Sequence, residues 1–236
     1  MDIRLSKATR SILGFIAASL LIFILFLTAL EWVAFDMNYY DKEYKSLGIS
    51  ASTGMSHGDL LMVTGELLDY IKDKRDDLDI LAAVNGEERL VFNQREIDHM
   101  VDVKGLFTKG YKMRWLLLGG FLLLGIILFI TDKGALRGLC VSYLWALSAL
   151  IAFAIILLIL ILVDFTAVWT VFHLIFFTND LWLLDPATDI LIRMVPEKFF
   201  FDTVMRVLGL FGAILAALAV GAAAILRRGR RAKAGY

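Results

Sequence analysis

Two of the three histidines in this 236-residue chain stand where they could exchange protons with a substrate. His99 follows a polar run, and His173 opens the aromatic-rich stretch HLIFFTNDLWLLDPATDILIRMVP. Imidazole titrates close to neutral pH, so small changes in its surroundings decide whether it acts as a base or an acid. If both lie on one side of a membrane, they supply a minimal pair for acid–base chemistry.

His99 also has a purely structural explanation. It could be an exposed histidine near a helix start, bonded to Asp102 one turn on or to Glu96 one turn back. The functional alternative is a base near pH 7 whose tautomer and orientation a neighbouring carboxylate holds. The residue pattern alone leaves both explanations open.

His173 has a more apolar setting in the sequence, close to Trp169, Phe172 and Phe176. Partial desolvation there would disfavour the imidazolium and keep a neutral base available. Ionisable groups near membrane depth are functional by default. The third histidine, His57, follows a serine that can cap a helix, so we expect a helix-start or surface role for it.

The elements that must position these residues are mostly membrane spans. With 59% hydrophobic and 20% charged residues, the chain has the composition of an integral membrane protein. We predict an all-α transmembrane fold, a four-helix membrane bundle with a small α+β extracytoplasmic cap between spans 1 and 2. Its parts are a cytoplasmic N-terminus with the first span (1–35), the cap (36–114), the second span (115–131), the third span (135–163), an extracytoplasmic aromatic-rich loop (164–202), the fourth span (203–226) and a basic cytoplasmic tail (227–236).

The orientation follows from the basic residues of the short segments, since lysine and arginine favour the cytoplasmic side. These segments contain only Asp2 and Asp132 as acidic residues. Their basic residues are Arg4, Lys7, Arg10, Lys133, Arg227, Arg228, Arg230, Arg231 and Lys233. Both termini are therefore expected inside, with both candidate histidines outside.

The cap segment contains local signals for a helix and a hairpin. Ser56 is placed to cap a helix that extends to about Lys74. The patterns of residues 78–84 and 89–92 predict two strands joined by a turn around Asn85 and Gly86.

A second helix signal precedes His99. Asn93 and Glu96 form a capping-box pattern, which predicts a helix start at this point. Gly105 weakens this helix and Gly110 allows a break before Trp115 begins the second span. We therefore expect a short helix lying along the membrane.

In the aromatic-rich loop, Asp185 and Pro186 match an N-cap followed by proline at the first helical position. This pattern predicts a short helix that ends before Pro196.

Several stronger chemistries are missing from the sequence. It contains no zinc-binding His/Cys pattern, no glycine-rich phosphate loop, no nucleophile elbow and no nucleic-acid signature. The single cysteine, Cys140, is interpreted as a bland buried thiol. We therefore expect no cofactor, metal, nucleotide or nucleic acid.

Two segments resemble a known family. FNQREIDHMVDVK in the cap and FHLIFFTNDLWLLDPATDILIRMVPEKFF in the second loop are similar to the two hallmark segments of the lipoprotein intramolecular transacylases. These are four-span bacterial membrane enzymes with an extracytoplasmic cap between the first two spans. The specific likeness covers about 40 residues, and both segments occur in the expected loops and order.

The resemblance implies a reaction in the bacterial cell membrane. The substrate would be a lipoprotein whose N-terminal cysteine carries a diacylglyceryl group, and its sn-2 acyl chain would move to the cysteine α-amine, giving the lyso-form. His99 and His173 would correspond to the two catalytic histidines. Our first assignment makes His99 the base toward the amine and His173 the proton donor or oxyanion partner, although the roles could be exchanged.

Other residues near the two histidines take supporting roles in this hypothesis. Asp98 and Asp102 are candidate groups for orienting His99, and Arg95 is a possible structural or oxyanion group. The candidate walls of the substrate site are Trp169, Phe172, Phe176 and Trp182. The alternative from another class is a non-enzymatic membrane protein whose cap binds a partner or senses the envelope.

Overall fold

The computed structural model describes the backbone of residues 5–234 and the side chains of residues 5–229. Its elements in chain order are α1 (Lys7–Ala34), α2 (Met37–Leu47), α3 (Ile49–Thr53), α4 (His57–Ile71), β1 (Leu81–Val84), β2 (Glu87–Leu90), α5 (Gln94–Thr131), α6 (Ala135–Val163), α7 (Phe165–Phe176), α8 (Ile190–Met194) and α9 (Glu197–Ala234). Several groups used in the orientation argument lie outside this description, namely residues Asp2 and Arg4 and the side chains of Arg230, Arg231 and Lys233.

The chain folds into two compact units. The bundle unit comprises Met1–Leu30, Lys112–Val163 and Val207–Tyr236, and the cap unit comprises Glu31–Tyr111 and Asp164–Arg206. The cap segment and the aromatic-rich loop, treated separately in the sequence, thus belong to one unit.

The bundle unit contains the apolar parts of four helices long and apolar enough to cross a membrane, α1, α5, α6 and α9. Most of their apolar side chains face outward, which suits helices whose solvent is lipid. The buried side chains are few and include Ala18, Ala29 and Phe211. The Tyr143 hydroxyl donates to the Leu215 carbonyl at 2.8 Å, satisfying a polar group between helices. The predicted all-α four-helix membrane fold is confirmed.

The cap unit has its own hydrophobic core, formed by side chains from α2, α4 and the second loop. Tyr44, Leu60 and Phe199 are among its most completely buried members. The first half of α5 packs against this core through Ile97 and Val103. This packing fixes the helix that carries His99.

The predicted hairpin is present, with shorter strands. β1 and β2 pair antiparallel from Leu81 opposite Leu90 to Val84 opposite Glu87. Asn85 and Gly86 have φ values of 54° and 85°, as a two-residue type I′ turn requires. The Asn85 backbone N–H donates to the Gly54 carbonyl at 2.8 Å, which ties the turn to the end of α3.

The helix predicted from Ser56 begins as expected and ends early. The Ser56 hydroxyl accepts from the Asp59 backbone N–H at 3.1 Å, which confirms the cap. The helix ends at Ile71 rather than about Lys74, and Asp73 has a φ of 61°, which a continuing right-handed helix does not allow.

The predicted interruption between His99 and the second span is wrong. α5 is one helix through Gly105 and Gly110. Glycine costs only about 1 kcal/mol inside a helix, and Val103 and Phe107 on either side of Gly105 pack against the cap core. His99 accordingly lies on the long helix α5 and not on a separate short helix.

The helix predicted at Asp185 starts later than expected. The Asp185 side chain accepts from the Ala187 backbone N–H at 2.9 Å, and its carbonyl accepts from Thr188 and Asp189, so it forms a turn. α8 begins at Ile190 and ends before Pro196, as predicted. Helix α7, whose first turn is capped by Asp164, was not predicted from the sequence.

Candidate active site

His99 lies in the second turn of α5, in the polar half that precedes the apolar run. The predicted capping box sets the start of this helix, since Asn93 Oδ1 accepts from the Glu96 N–H at 3.1 Å and Glu96 Oε2 accepts from the Asn93 N–H at 2.8 Å. The His99 side chain is 8% exposed, and its buried Nδ1 has no hydrogen-bond partner. Buried polar atoms are rarely left unpaired, so this nitrogen is available to a ligand.

His173 lies in the last turn of α7 and is 5% exposed. Its Nδ1 is 2.8 Å from the Trp169 carbonyl oxygen. Because a carbonyl oxygen only accepts, Nδ1 must carry the proton, and the lone pair of the neutral ring lies on Nε2. The hydrogen bond therefore selects the tautomer in which Nε2 can act as a base.

The two imidazoles are neighbours in the cap unit. Their ring centroids are 6.4 Å apart with an interplanar angle of 34°. The buried Phe177 ring packs against both, at 5.6 Å from each centroid. One head group can bridge this separation, so the structure brings together the two residues that the sequence paired.

Both imidazoles are held in the neutral form at pH 7. Burial, together with a smaller effect of the neighbouring His173, lowers the pKa of His99 to about 4, against an opposing effect of Asp102. Burial also lowers the pKa of His173, although its bond to the Trp169 carbonyl opposes the change. Neutral imidazoles are the forms needed to accept protons.

The predicted orienting carboxylates bond to groups other than His99. Asp98 accepts from Gln94 Nε2 at 2.8 Å, and Asp102 accepts from Asn179 Nδ2 at 2.7 Å. The bond from His99 to Asp102 or Glu96 required by the structural explanation is not formed either. His99 is thus a buried imidazole with an unpaired Nδ1, in place of the carboxylate-bound histidine that both explanations expect.

Arg95 acts on the loop after α7. Its Nη2 donates to the Asp180 carbonyl oxygen and lies 3.7 Å from the Asp180 carboxylate. The structure gives this arginine a local structural contact, one of the two roles considered from the sequence.

Three of the four predicted wall residues contact His173. Trp182 stacks on its ring at 4.6 Å and 23°, Trp169 meets it edge-on at 4.7 Å, and Phe172 does so at 5.4 Å. Phe176 contacts Phe172 at 4.9 Å but neither histidine ring, and its side chain is 51% exposed.

Phe177 and Asn179 were not predicted as site residues. Phe177 follows His173 by four residues, which is a helical spacing, so recognising α7 would have pointed to it. Asn179 gave no signal, because its partner Asp102 is 77 residues away in the chain.

A buried carboxylate network joins the start of α5 to α8. Glu96 Oε1 accepts from the Leu191 backbone N–H at 2.6 Å, and Asp189 accepts from Asn93 Nδ2 at 2.8 Å and from the Asp185 N–H at 2.7 Å. Burial raises the pKa of Glu96. These bonds give the predicted N-cap residues a second, tertiary role.

The remaining candidates lie elsewhere. His57 Nε2 is 2.7 Å from Asp41 Oδ1, which links α4 to α2. Cys140 is buried in the bundle unit. Among the described residues, no group of three or more His, Cys, Asp or Glu side chains is placed to hold a metal ion.

Solved structures with a similar fold are known. The crystal structure of the membrane integral lipoprotein intramolecular transacylase Lit from Bacillus cereus matches with a TM-score of 0.73 at 20% identity, covering 98% of this chain and 100% of that one. Two variants of the Bacillus cereus protein, with one histidine replaced by arginine or by alanine, match with a TM-score of 0.72 at 20% identity, covering 95% of this chain and 95% and 96% of theirs. No curated protein sequence matches.

At this identity the solved structures establish the likeness of the fold. The sequence family described as lipoprotein intramolecular transacylase Lit matches residues 15–200, which is most of the chain and includes both hallmark segments. The chain therefore belongs to the lipoprotein intramolecular transacylase family.

Proposed function

We propose that this transacylase moves the sn-2 acyl chain of a diacylglyceryl lipoprotein to the α-amine of its N-terminal cysteine, using His99 and His173. The observation that carries the proposal is the pair of buried imidazoles 6.4 Å apart, each with a ring nitrogen free for substrate. The family supplies the general activity, and the pair supplies a chemical means of achieving it.

His173 takes the proton from the amine. Its Nε2 carries the lone pair, because Nδ1–H is held by the Trp169 carbonyl. As the amine nitrogen attacks the ester carbonyl carbon, the C–N bond forms and a nitrogen-bound proton passes to Nε2. This order reverses our first assignment from the sequence, which left the exchange of roles open.

His99 stabilises the oxygen that becomes negative. In the tautomer protonated at Nδ1, its unpaired nitrogen donates a hydrogen bond to the tetrahedral oxyanion. When the C–O bond breaks, the glycerol oxygen leaves with the proton that His173 had accepted. The ester becomes an amide, no other reactant is consumed, and both histidines return to the neutral form.

The aromatic side chains around His173 keep the ester away from water. Trp169, Phe172 and Trp182 surround the imidazole and provide apolar surface for acyl chains. Because donor and acceptor belong to one molecule, holding them in contact can supply about 7–11 kcal/mol of the barrier. We place the cap unit outside a bacterial cell membrane and both termini in the cytoplasm, since the short basic segments favour that side.

The test uses purified full-length protein in vesicles with a synthetic diacylglyceryl lipopeptide. Substrate and product are isomers of equal mass, so fragmentation mass spectrometry must locate the moved acyl group on nitrogen. We expect the N-acylated isomer with the wild type, and a rate at least about 100-fold lower with His99→Ala or His173→Ala.

His57→Ala is the matched control, because His57 pairs with Asp41 away from the histidine pair. It should retain wild-type activity. Absence of the isomer with wild-type protein, or a wild-type rate in either His99→Ala or His173→Ala, would refute the proposal.

A further inference from the structure

We propose that Asn179 is a positioning residue that holds Trp182 against His173 from an anchor at Asp102. The inference rests on the proposed function, since it assigns His173 a reactive Nε2. Asn179 itself does not touch the imidazole, and it would act through the tryptophan.

Asn179 makes three hydrogen bonds that together shape the loop after α7. Its side-chain Nδ2 donates to Asp102 Oδ2 at 2.7 Å, and its side-chain Oδ1 accepts from the Leu181 backbone N–H at 3.1 Å. Its backbone carbonyl accepts from the indole Nε1–H of Trp182 at 3.0 Å. One residue therefore fixes the loop backbone, the indole and the attachment to α5.

The indole held in this way lies flat on the catalytic imidazole. Trp182 and His173 stack with centroids 4.6 Å apart and an interplanar angle of 23°. The ring of His173 is thus fixed at Nδ1 by the Trp169 carbonyl and across one face by the indole. Rotation of the imidazole out of its plane would break the bond to the Trp169 carbonyl and displace the Trp182 ring.

Asp102 makes the anchor part of the helix that carries His99. It follows His99 by three residues, so the two side chains leave neighbouring positions on α5. The hydrogen bond from Asn179 to Asp102 therefore links the position of the stacked Trp182 and His173 rings to α5, the helix that carries His99. Loss of this bond should lower the turnover number and let water compete with the amine for the ester.

The asparagine is exposed, so its replacement leaves the hydrophobic core of the cap unit intact. Asn179→Asp keeps the acceptor for Leu181 but replaces the donor to Asp102 with a second negative charge. In the vesicle assay we expect kcat to fall about tenfold or more while KM changes less than about threefold, since misplacement near 1 Å can cost roughly 100-fold in rate. Hydrolysis should rise as a fraction of turnover, detected as a lipopeptide lacking one acyl chain and as free fatty acid.

A double variant that exchanges the side chains of Asp102 and Asn179 gives the decisive test. Asp102→Asn combined with Asn179→Asp restores one amide facing one carboxylate, with the direction of the hydrogen bond reversed. This double variant should recover most of the kcat and the low hydrolysis fraction that Asn179→Asp loses, whereas Asp102→Asn alone keeps an acceptor for the Asn179 amide. Asp98→Asn is the matched control, because Asp98 is a neighbouring carboxylate of α5 that bonds Gln94 and not the loop.

The outcomes separate this inference from the proposed function. If His173→Ala is inactive but Asn179→Asp keeps wild-type kcat and hydrolysis fraction, the positioning role is refuted and the histidine mechanism stands. Failure of the double exchange to exceed Asn179→Asp in kcat, with all proteins shown to be folded by thermal unfolding, also overturns it. If His173→Ala is as active as the wild type, the proposed function itself fails.

Discussion

Acidification should destabilise this protein through His99. The imidazole is 8% exposed, and its pKa is lowered from 6.5 to about 4, first by burial and then by His173. In the unfolded chain the same group has its ordinary pKa, so the unfolded state binds the proton first as the pH falls. The contribution of neutral His99 to stability is therefore complete above pH 6.5 and is lost between pH 6.5 and pH 4.

The size of the effect follows from proton linkage. A pKa difference from 6.5 to about 4 corresponds to a limiting loss of about 3 kcal/mol in the free energy of unfolding. Between pH 7 and pH 5 the expected loss from His99 alone is about 2 kcal/mol, because the unfolded state is mostly protonated and the folded state is not. Such a loss is a large fraction of the 5–15 kcal/mol or so that typically stabilises a domain.

The assay compares the pH dependence of unfolding in wild-type, His99→Asn and His57→Asn proteins in the same detergent. Other groups titrate in this range, so the informative quantity is the difference between variants. Between pH 7 and pH 5, His99→Asn should reduce the dependence of the unfolding free energy on pH by about 1 kcal/mol per pH unit. His57→Asn removes a partly exposed histidine and is the control for the loss of any one histidine. Nitrogen-15 NMR of labelled histidine gives a direct check, and a His99 midpoint at or above pH 6 would refute the reasoning.

Two further substitutions test contacts within the cap unit. Glu96→Ala removes the acceptor of the Leu191 and Asn93 N–H groups and should lower the free energy of unfolding by about 2–4 kcal/mol. Denaturant unfolding measures this loss of stability. Glu96→Gln should lose less stability, because one side-chain oxygen remains. Gly54→Ala places a methyl group 2.1 Å from Asn85 Oδ1 at a φ of +72° and should cost at least about 1–2 kcal/mol. Gly58→Ala, which meets nothing closer than 3.8 Å, should be close to neutral in the same melt, and equal effects of the two alanines would contradict this account.

Local signals in the sequence were sufficient for the elements that start or turn within a few residues. The Asn93–Glu96 capping box and the Asn85–Gly86 turn both form as predicted, because their hydrogen bonds or backbone angles are settled by residues three or fewer positions apart. The apolar runs likewise located all four membrane helices.

Predictions failed where tertiary packing decides. Gly105 weakens a helix in isolation, yet neighbouring side chains pack against the cap core and α5 continues. The tautomer of His173 also depends on α7, since the Trp169 carbonyl comes within reach only one helical turn before the histidine. The side chains around His173 do have helical spacing, at positions 169, 172, 173 and 176. Their aromatic character nevertheless favours a membrane-interface loop, and the structure has the helix α7 there instead.

Three residues of α5, namely Arg95, His99 and Asp102, show why Asp102 binds the loop after α7 and not His99. These residues are spaced i, i+4 and i+7 along α5, so they lie on one face of the helix. Arg95 bonds the loop at Asp180 and Asp102 bonds it at Asn179, one turn before and one turn after the histidine. The charged residues around His99 thus hold the segment that leads from His173 to Trp182 on the face where His99 lies. Both contacts flank His99, whose ring lies 6.4 Å from that of His173, so this helix face and its loop together place the two imidazoles.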